Sequence, residues 1–432
     1  MTTTSILITD AGQIVTLAGN NATPRTREGM RELGLLEGRH QAVAIHRGTI
    51  VHVGDEAAAL ARLHELGVAD RQIERIDANG KLVLPGLIDP HTHVVFSGTR
   101  EYELEMRMNG ATYLEILQNG GGILSSTHNT READEEQLMW ETRGRLDSFL
   151  KHGVTTIEAK SGYGLTTEDE IKQLRVARRL HQEHPIDIVS TFMGAHAVPP
   201  EYKHDPDQYV KLIIEEMLPR VAADQLAEFC DVFCEHGVFT LEQSEAILEA
   251  GKKLGLRAKI HADEIEPMGG AELAARLGAI SADHLLKASD EGIHAMAKAG
   301  VVATLLPGTA FFLMAQPARA RAMIDAGVPV ALSTDRNPGS CPTENLQLVM
   351  NLACLNMKMT PAEVIAATTI NAAHAIGRAD RIGSLEAGKQ ADVLILDVPS
   401  YQYLQYHYGV NHTDTVIKSG KVVVKGGQLV YA

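Results

Sequence analysis

Two histidines one residue apart, His91 and His93, close the run Leu84-Pro85-Gly86-Leu87-Ile88-Asp89-Pro90. Alternate side chains of a strand share a face, so both imidazoles point the same way and offer half of a metal site. His261, with Glu264 three residues on, His284 and Asp335 each end a further apolar stretch. One histidine at a strand end is ordinarily a satisfied polar side chain. Five metal-binding side chains, all at the ends of apolar strands, point instead to an ion shared between them. Imidazole and carboxylate suit zinc and iron alike. Such an ion lowers the pKa of its bound water to about 7 and supplies hydroxide in neutral solution. Glu264, His284 and Asp335 are candidates to move protons or steady developing negative charge, although Glu264 also fits a solvated acid near a helix start.

Three more residues have the chemistry to hold a substrate. Arg100 lies seven residues after His93, where a guanidinium could grip a carboxylate through two bonds, or simply pair with Glu101, Glu103 or Glu105. Tyr163 sits in Lys160-Ser161-Gly162-Tyr163-Gly164, and His196 ends another apolar run.

These residues need a scaffold that carries strand ends to one place. Between residues 86 and 376 a pattern of amphipathic helix, glycine and apolar strand recurs, with the glycines at Gly153, Gly255, Gly278, Gly300 and Gly327. Glycine supplies the left-handed residue that ends a helix, and strands covered on both faces are uniformly apolar. Thr167 with Glu170, Thr240 with Gln243, and Thr360 with Glu363 have the spacing of helix-start capping boxes. Eight strands are expected: 87–93, 154–160, 186–196, 231–236, 256–264, 280–285, 301–307 and 328–335. Eight parallel strand and helix units close into a (β/α)8 TIM barrel, whose chemistry lies at the C-terminal strand ends. An open doubly wound sheet is the alternative, but no Gly-x-Gly-x-x-Gly turn follows an early strand. The fourth strand has no lysine to carbamylate as a bridge between two ions, so a mononuclear site is expected.

Residues 1–85 and 377–432 read as short strands joined by turns, each set too poor in apolar residues to bury a core alone. They are expected to meet in one small composite β domain. The 432 residues carry 55 acidic and 40 basic side chains, a net charge of -15 that repels phosphate backbones and anionic lipid, so neither nucleic acid nor membrane is an expected partner. Cys230, Cys234, Cys341 and Cys354 have neither zinc-clip spacing nor the density of a secreted scaffold, which fits reduced thiols in a cytoplasm. No signal peptide is recognisable at the start. The uncharged run from Ala299 to Ala318 is broken by Pro307-Gly308 and Pro317, and reads as buried strand and loop.

The His-x-His after Pro-Gly-Leu-Ile-Asp, His261-Ala262-Asp263-Glu264, His284 and Asp335 resemble the amidohydrolase superfamily. Lys160 to Gly164, Gly194-Ala195-His196-Ala197-Val198-Pro199-Pro200 and Ser333 to Ser340 resemble its imidazolonepropionase family over nearly the whole chain. That resemblance implies hydrolysis of the cyclic amide of 4-imidazolone-5-propanoate to N-formimidoyl-L-glutamate in histidine degradation, with one zinc or iron ion per subunit. It also implies a cytoplasmic homodimer acting on a small molecule with a carboxylate tail. By the resemblance, His91, His93, His261 and Asp335 hold the metal, and Arg100, Tyr163, His196, Glu264, Asn337, Gly339 and Ser340 contact substrate or product. The Gly120–Arg131 loop departs from the family, carrying Ser126-Thr127-His128-Asn129 where an arginine is expected at or beside His128; its role is left open. A nucleobase-type deaminase of the same superfamily shares the metal pattern but has no use for Arg100 and Tyr163. A non-catalytic scaffold of this fold is the reading from a different class, and such relatives usually lose metal ligands.

Overall fold

The structure, a computed structural model, describes residues 5–111, 115 and 121–431. Eight parallel strands form one sheet in sequence order. They are β1 (Leu87–Asp89), β2 (Val154–Lys160), β3 (Asp187–Ala195), β4 (Phe229–Cys234), β5 (Arg257–Ala262), β6 (Ser281–His284), β7 (Val302–Leu305) and β8 (Val330–Leu332). The ring closes just beyond β1 and β8, where Thr92 bridges Arg336, the His93 amide donates to the Arg336 carbonyl at 2.9 Å and the Asp335 amide to the His91 carbonyl at 3.1 Å. The expected barrel is therefore present, with helices between its strands.

Several strands stop earlier than their apolar runs. Pro90 has no N–H to give the ladder, so β1 ends at Asp89 and His91 and His93 lie beyond it. Asp263 has φ 49°, which ends β5 before Glu264, and Asp335 has φ 56° beyond β8. Turning out of the ladder in this way aims the polar residues over the barrel mouth.

The five helix-ending glycines all adopt positive φ, between 61° and 96°. The capping boxes at Thr240 and Thr360 are formed, each with its glutamine or glutamate side chain returned to the cap amide. The third expected start is corrected by one residue. Thr166 rather than Thr167 accepts from the Asp169 amide, because Glu170 instead serves the amides of Gly164 and Leu165. Two loop expectations are also corrected. Pro307–Phe312 is a short helix, since proline at its first turn needs no N–H partner. Ile123–Glu132 is a helix in which Thr127 returns its hydroxyl to the Ile123 carbonyl; Gly120 lies outside the described residues. No helix among the described residues is long and apolar enough to cross a membrane.

The chain ends do meet. A seven-stranded sheet places Leu82–Pro85 beside Val393–Leu396, joining strands from both termini, while a four-stranded sheet is wholly N-terminal. Side-chain alternation decides what each face covers. Val83, Val393, Ile395 and Ile417 pack with Ile6, Ile8, Val43 and Ile45 between the sheets, whereas Leu82, Leu84, Leu394, Leu396 and Val416 join the barrel's core. Leu7, of opposite parity to Ile6 and Ile8, packs with Ala59 and Leu63 of the helix Glu56–Glu65.

Candidate metal and substrate site

The barrel mouth gathers His91, His93, His261, His284 and Asp335, all buried. His91 sets its Nδ1 against Asp283 at 2.6 Å and His261 sets its Nδ1 against Asp231 at 3.1 Å. Only N–H can satisfy a carboxylate there, so each ring presents its Nε2 as a lone pair. The His91 Nε2 has no hydrogen-bond partner among the described residues, with Asp335 Oδ1 at 3.4 Å. His261 Nε2 lies 3.4 Å from His93 Nε2, which is itself 3.7 Å from Asp335 Oδ1. Lone pairs and a carboxylate turned toward one another repel unless a cation lies among them. His91, His93 and Asp335 bring one ligand atom each within 4.8 Å of one another, and so do His91, His261 and His284. Burial, together with Lys160 and the neighbouring imidazoles, holds His91 and His261 well below the usual histidine pKa, in the neutral form that ligates metal. The donor set fits zinc or iron.

Asp335 keeps its other oxygen on the Thr309 hydroxyl at 2.6 Å, and burial pushes its carboxyl up to about 7. Glu264 has an oxygen 3.4 Å from His284 Nδ1. Burial first, and then Asp335 and Glu235, push the Glu264 carboxyl up to about 8, while burial brings His284 down to about 4. A protonated acid beside a neutral imidazole is a pair equipped to pass a proton. His284 pays for its direction with φ 74°.

The next ring of residues is less uniform than the sequence suggests. His196 stacks on His93 with centroids 4.7 Å apart and holds the Gly162 carbonyl at 3.0 Å. A Cβ on Gly162 would lie 2.8 Å from that His196 nitrogen, so glycine is needed there. The buried Tyr163 ring meets His93, His196 and Phe96 edge-on or tilted. Arg100 makes both of its described hydrogen bonds to Glu103, at 2.7 and 2.8 Å, as its acid-rich neighbourhood allowed. Its remaining amine packs on Gly339, where a Cβ would come within 2.2 Å. Asn337 spends its amide on its own turn: Nδ2 donates to the Asp335 carbonyl and Ser340 Oγ, and Oδ1 accepts from the Gly339 and Ser340 amides. Asn337 and Ser340 thus shape the loop that faces Arg100. Arg131 donates to the Gly164 carbonyl and to Glu201, buttressing the Tyr163 loop from outside.

Sequence reasoning missed the layer beneath: Glu158 and Lys160 of β2, Asp231 of β4, Lys259 of β5 and Asp283 of β6, all buried. Strand parity was the available signal. Glu158 and Lys160 are two apart, as are Lys259 and His261, so each pair shares the face that looks into the barrel.

The amidohydrolase family model matches residues 82–423. The chain is 61% identical over 424 residues to the imidazolonepropionase of Shouchella clausii, covering 98% of this chain and 94% of that one. It is 62% identical over 426 residues to the imidazolonepropionase of Geobacillus kaustophilus, covering 98% and 99%. Among solved structures, a zinc complex of atrazine chlorohydrolase from Arthrobacter aurescens superposes with a TM-score of 0.74 at 20% identity, covering 99% of this chain and 97% of that one. A zinc-bound adenosine deaminase from Xanthomonas campestris does so with a TM-score of 0.73 at 20% identity, covering 99% and 95%. At that identity the structural likeness speaks for the fold alone. The full-length identities speak for more: this chain belongs to the amidohydrolase family and, within it, to the imidazolonepropionases.

Proposed function

We propose that this chain opens the ring of 4-imidazolone-5-propanoate with water, giving N-formimidoyl-L-glutamate in histidine breakdown. The observation that carries the chemistry is the set of ring nitrogens and a carboxylate turned on one point, with the buried His91 Nε2 left without a hydrogen-bond partner among the described residues. His91, His93, His261 and Asp335 would hold one ion, zinc or iron. When bound, the ion supplies Lewis acidity and lowers the pKa of water.

The chain's own residues do the rest. Water oxygen bonds to the ring carbonyl carbon and gives up a proton to Asp335, the ring C–N bond breaks, and a proton reaches the departing nitrogen. Glu264, whose carboxyl titrates near 8, carries that proton, and His284 beside it steadies the oxygen as it gains charge. Arg100 turns one edge of its guanidinium from Glu103 to the propanoate tail, with the backbone around Gly339 forming the wall behind it. Tyr163 and His196 flank the ring and limit it to one orientation, which lowers the entropic part of the barrier. Arg100→Ala should therefore harm imidazolones that carry the tail far more than those without it.

The family reading extends to a cytoplasmic homodimer, checked by sedimentation, and to a barrel of residues 86–376 flanked by the composite sheets of 1–85 and 377–432. The deciding assay is loss of ring absorbance when metal-replete protein meets imidazolone propanoate. Turnover stoichiometric with N-formimidoyl-L-glutamate supports the reading; ammonia release from nucleobases with an inert imidazolone overturns it.

A further inference from the structure

Below the histidines, the barrel floor holds a second convergence of ligands. Glu158, Asp231 and Asp283 come from three different strands, and each lies against the ammonium of Lys160. Lys160 Nζ is 2.9 Å from Glu158, 2.7 Å from Asp231 and 3.4 Å from Asp283, with both members of every pair fully buried. Two of these carboxylates are the ones that hold His91 and His261 by their Nδ1 atoms. Asp231, His261 and Asp283 themselves bring one ligand atom each within 4.8 Å of one another, as do His91, Glu158 and Asp283. Each of these two overlapping sets has the donor types and spacing to hold a cation, and a protein ammonium lies against the carboxylates of both.

Three buried carboxylates cannot stay ionised together without compensating charge. Lys259 answers only part of the need. Its ammonium lies 3.0 Å from Glu158 but also serves the carbonyls of Pro90 and Ala375. Asp231 and Asp283 depend on Lys160, and the orientation of both histidine ligands depends on those two aspartates. The carboxylates outweigh burial and keep the Lys160 amine charged.

We propose that Lys160 is a positioning residue that serves as the built-in second cation of the barrel: it fixes the aspartates that orient His91 and His261, and it restricts the chain to one metal ion. The inference rests on the one-ion reading of the histidine site and concerns the floor beneath it. A lysine bridging two ions would be a ligand; here the lysine stands where another ion would otherwise go.

The test counts ions. Purified protein is equilibrated with excess Co2+, and the metal retained is measured by elemental analysis and native mass spectrometry, the latter on the folded species alone. The wild type is expected to hold one ion per chain. Lys160→Ala, which opens both the charge and the space, is expected to hold two. Lys160→Ala combined with Glu158→Gln, which removes one of the three carboxylates but no partner of a histidine, is expected to bind the second ion at least tenfold more weakly. One ion in Lys160→Ala with one in the wild type overturns the role of Lys160 and leaves the histidine site standing. Two ions in the wild type also overturn it, a result readable even if the alanine variant does not fold. A wild type that binds none removes the metal centre and this inference with it.

Discussion

Two ionic clusters in this molecule make opposite use of the same chemistry. Where the composite sheet meets the barrel, Lys418 lies 2.6 Å from both Asp187 and Asp392, Gln390 donates to both carboxylates, and the Ser419 amide donates to the other oxygen of Asp392. No side-chain atom of that cluster is buried without a partner among the described residues. At the barrel mouth, by contrast, His91 Nε2, His93 Nδ1 and His284 Nδ1 are buried and unbonded. The closed cluster ties two parts of the chain together; the open one stores unsatisfied bonding capacity that a ligand can use. The difference between structure and function here is whether the account of donors and acceptors closes.

Substitutions in the two clusters should therefore separate cleanly. His261→Ala removes a lone pair at the convergence point and should abolish metal retention, lowering kcat/KM by more than about 10^3-fold, beyond what loss of a single oxyanion donor costs; dialysis with elemental analysis and the ring-absorbance assay read both. Lys418→Met should instead cost about 2–4 kcal/mol in denaturant unfolding, shifted below the roughly 3–5 kcal/mol of a fully buried broken pair because Asp187 is partly exposed. Metal content and turnover per folded molecule should be unchanged. Equal loss of metal in both variants would end the distinction.

Asp283→Asn tests the layer between the extremes. It leaves every ligand in place but lets the His91 ring lose its Nδ1 acceptor, so metal affinity should fall roughly 10–100-fold in chelator competition. The last contrast is a pH dependence. Glu264 in the folded, metal-free chain titrates near 8 against an ordinary value of 4.5. Folding thus favours its protonated form, a contribution fully present below about pH 4.5 and lost as pH rises through 8. Metal-free Glu264→Gln should match the wild type in Tm at pH 4.5 and exceed it increasingly toward pH 9; a constant offset would count against the burial of that carboxyl.

The barrel was legible because apolar runs recur after helix-ending glycines, and the rim histidines because each closes such a run. Boundaries were less so. Pro90 and the left-handed Asp263 cut β1 and β5 short, Asp335 turns left-handed beyond the end of β8, and a left-handed aspartate leaves no mark in hydrophobic patterning. Lys160 was visible only as the start of a glycine-rich turn, since nothing in one strand reveals the acids that the barrel brings to it from two others. Arg100 shows the reverse case. Its position offered two readings, a grip on a substrate carboxylate or a pairing with a neighbouring glutamate, and the acid it holds in the structure is Glu103, three residues away.

The most direct test is anomalous X-ray scattering from a crystal of the metal-loaded protein. One peak per chain bounded by His91, His93, His261 and Asp335, above an occupied Lys160 clamp, is the result expected. An ion seated elsewhere, or one that leaves His261 or Asp335 out of reach, would contradict the account.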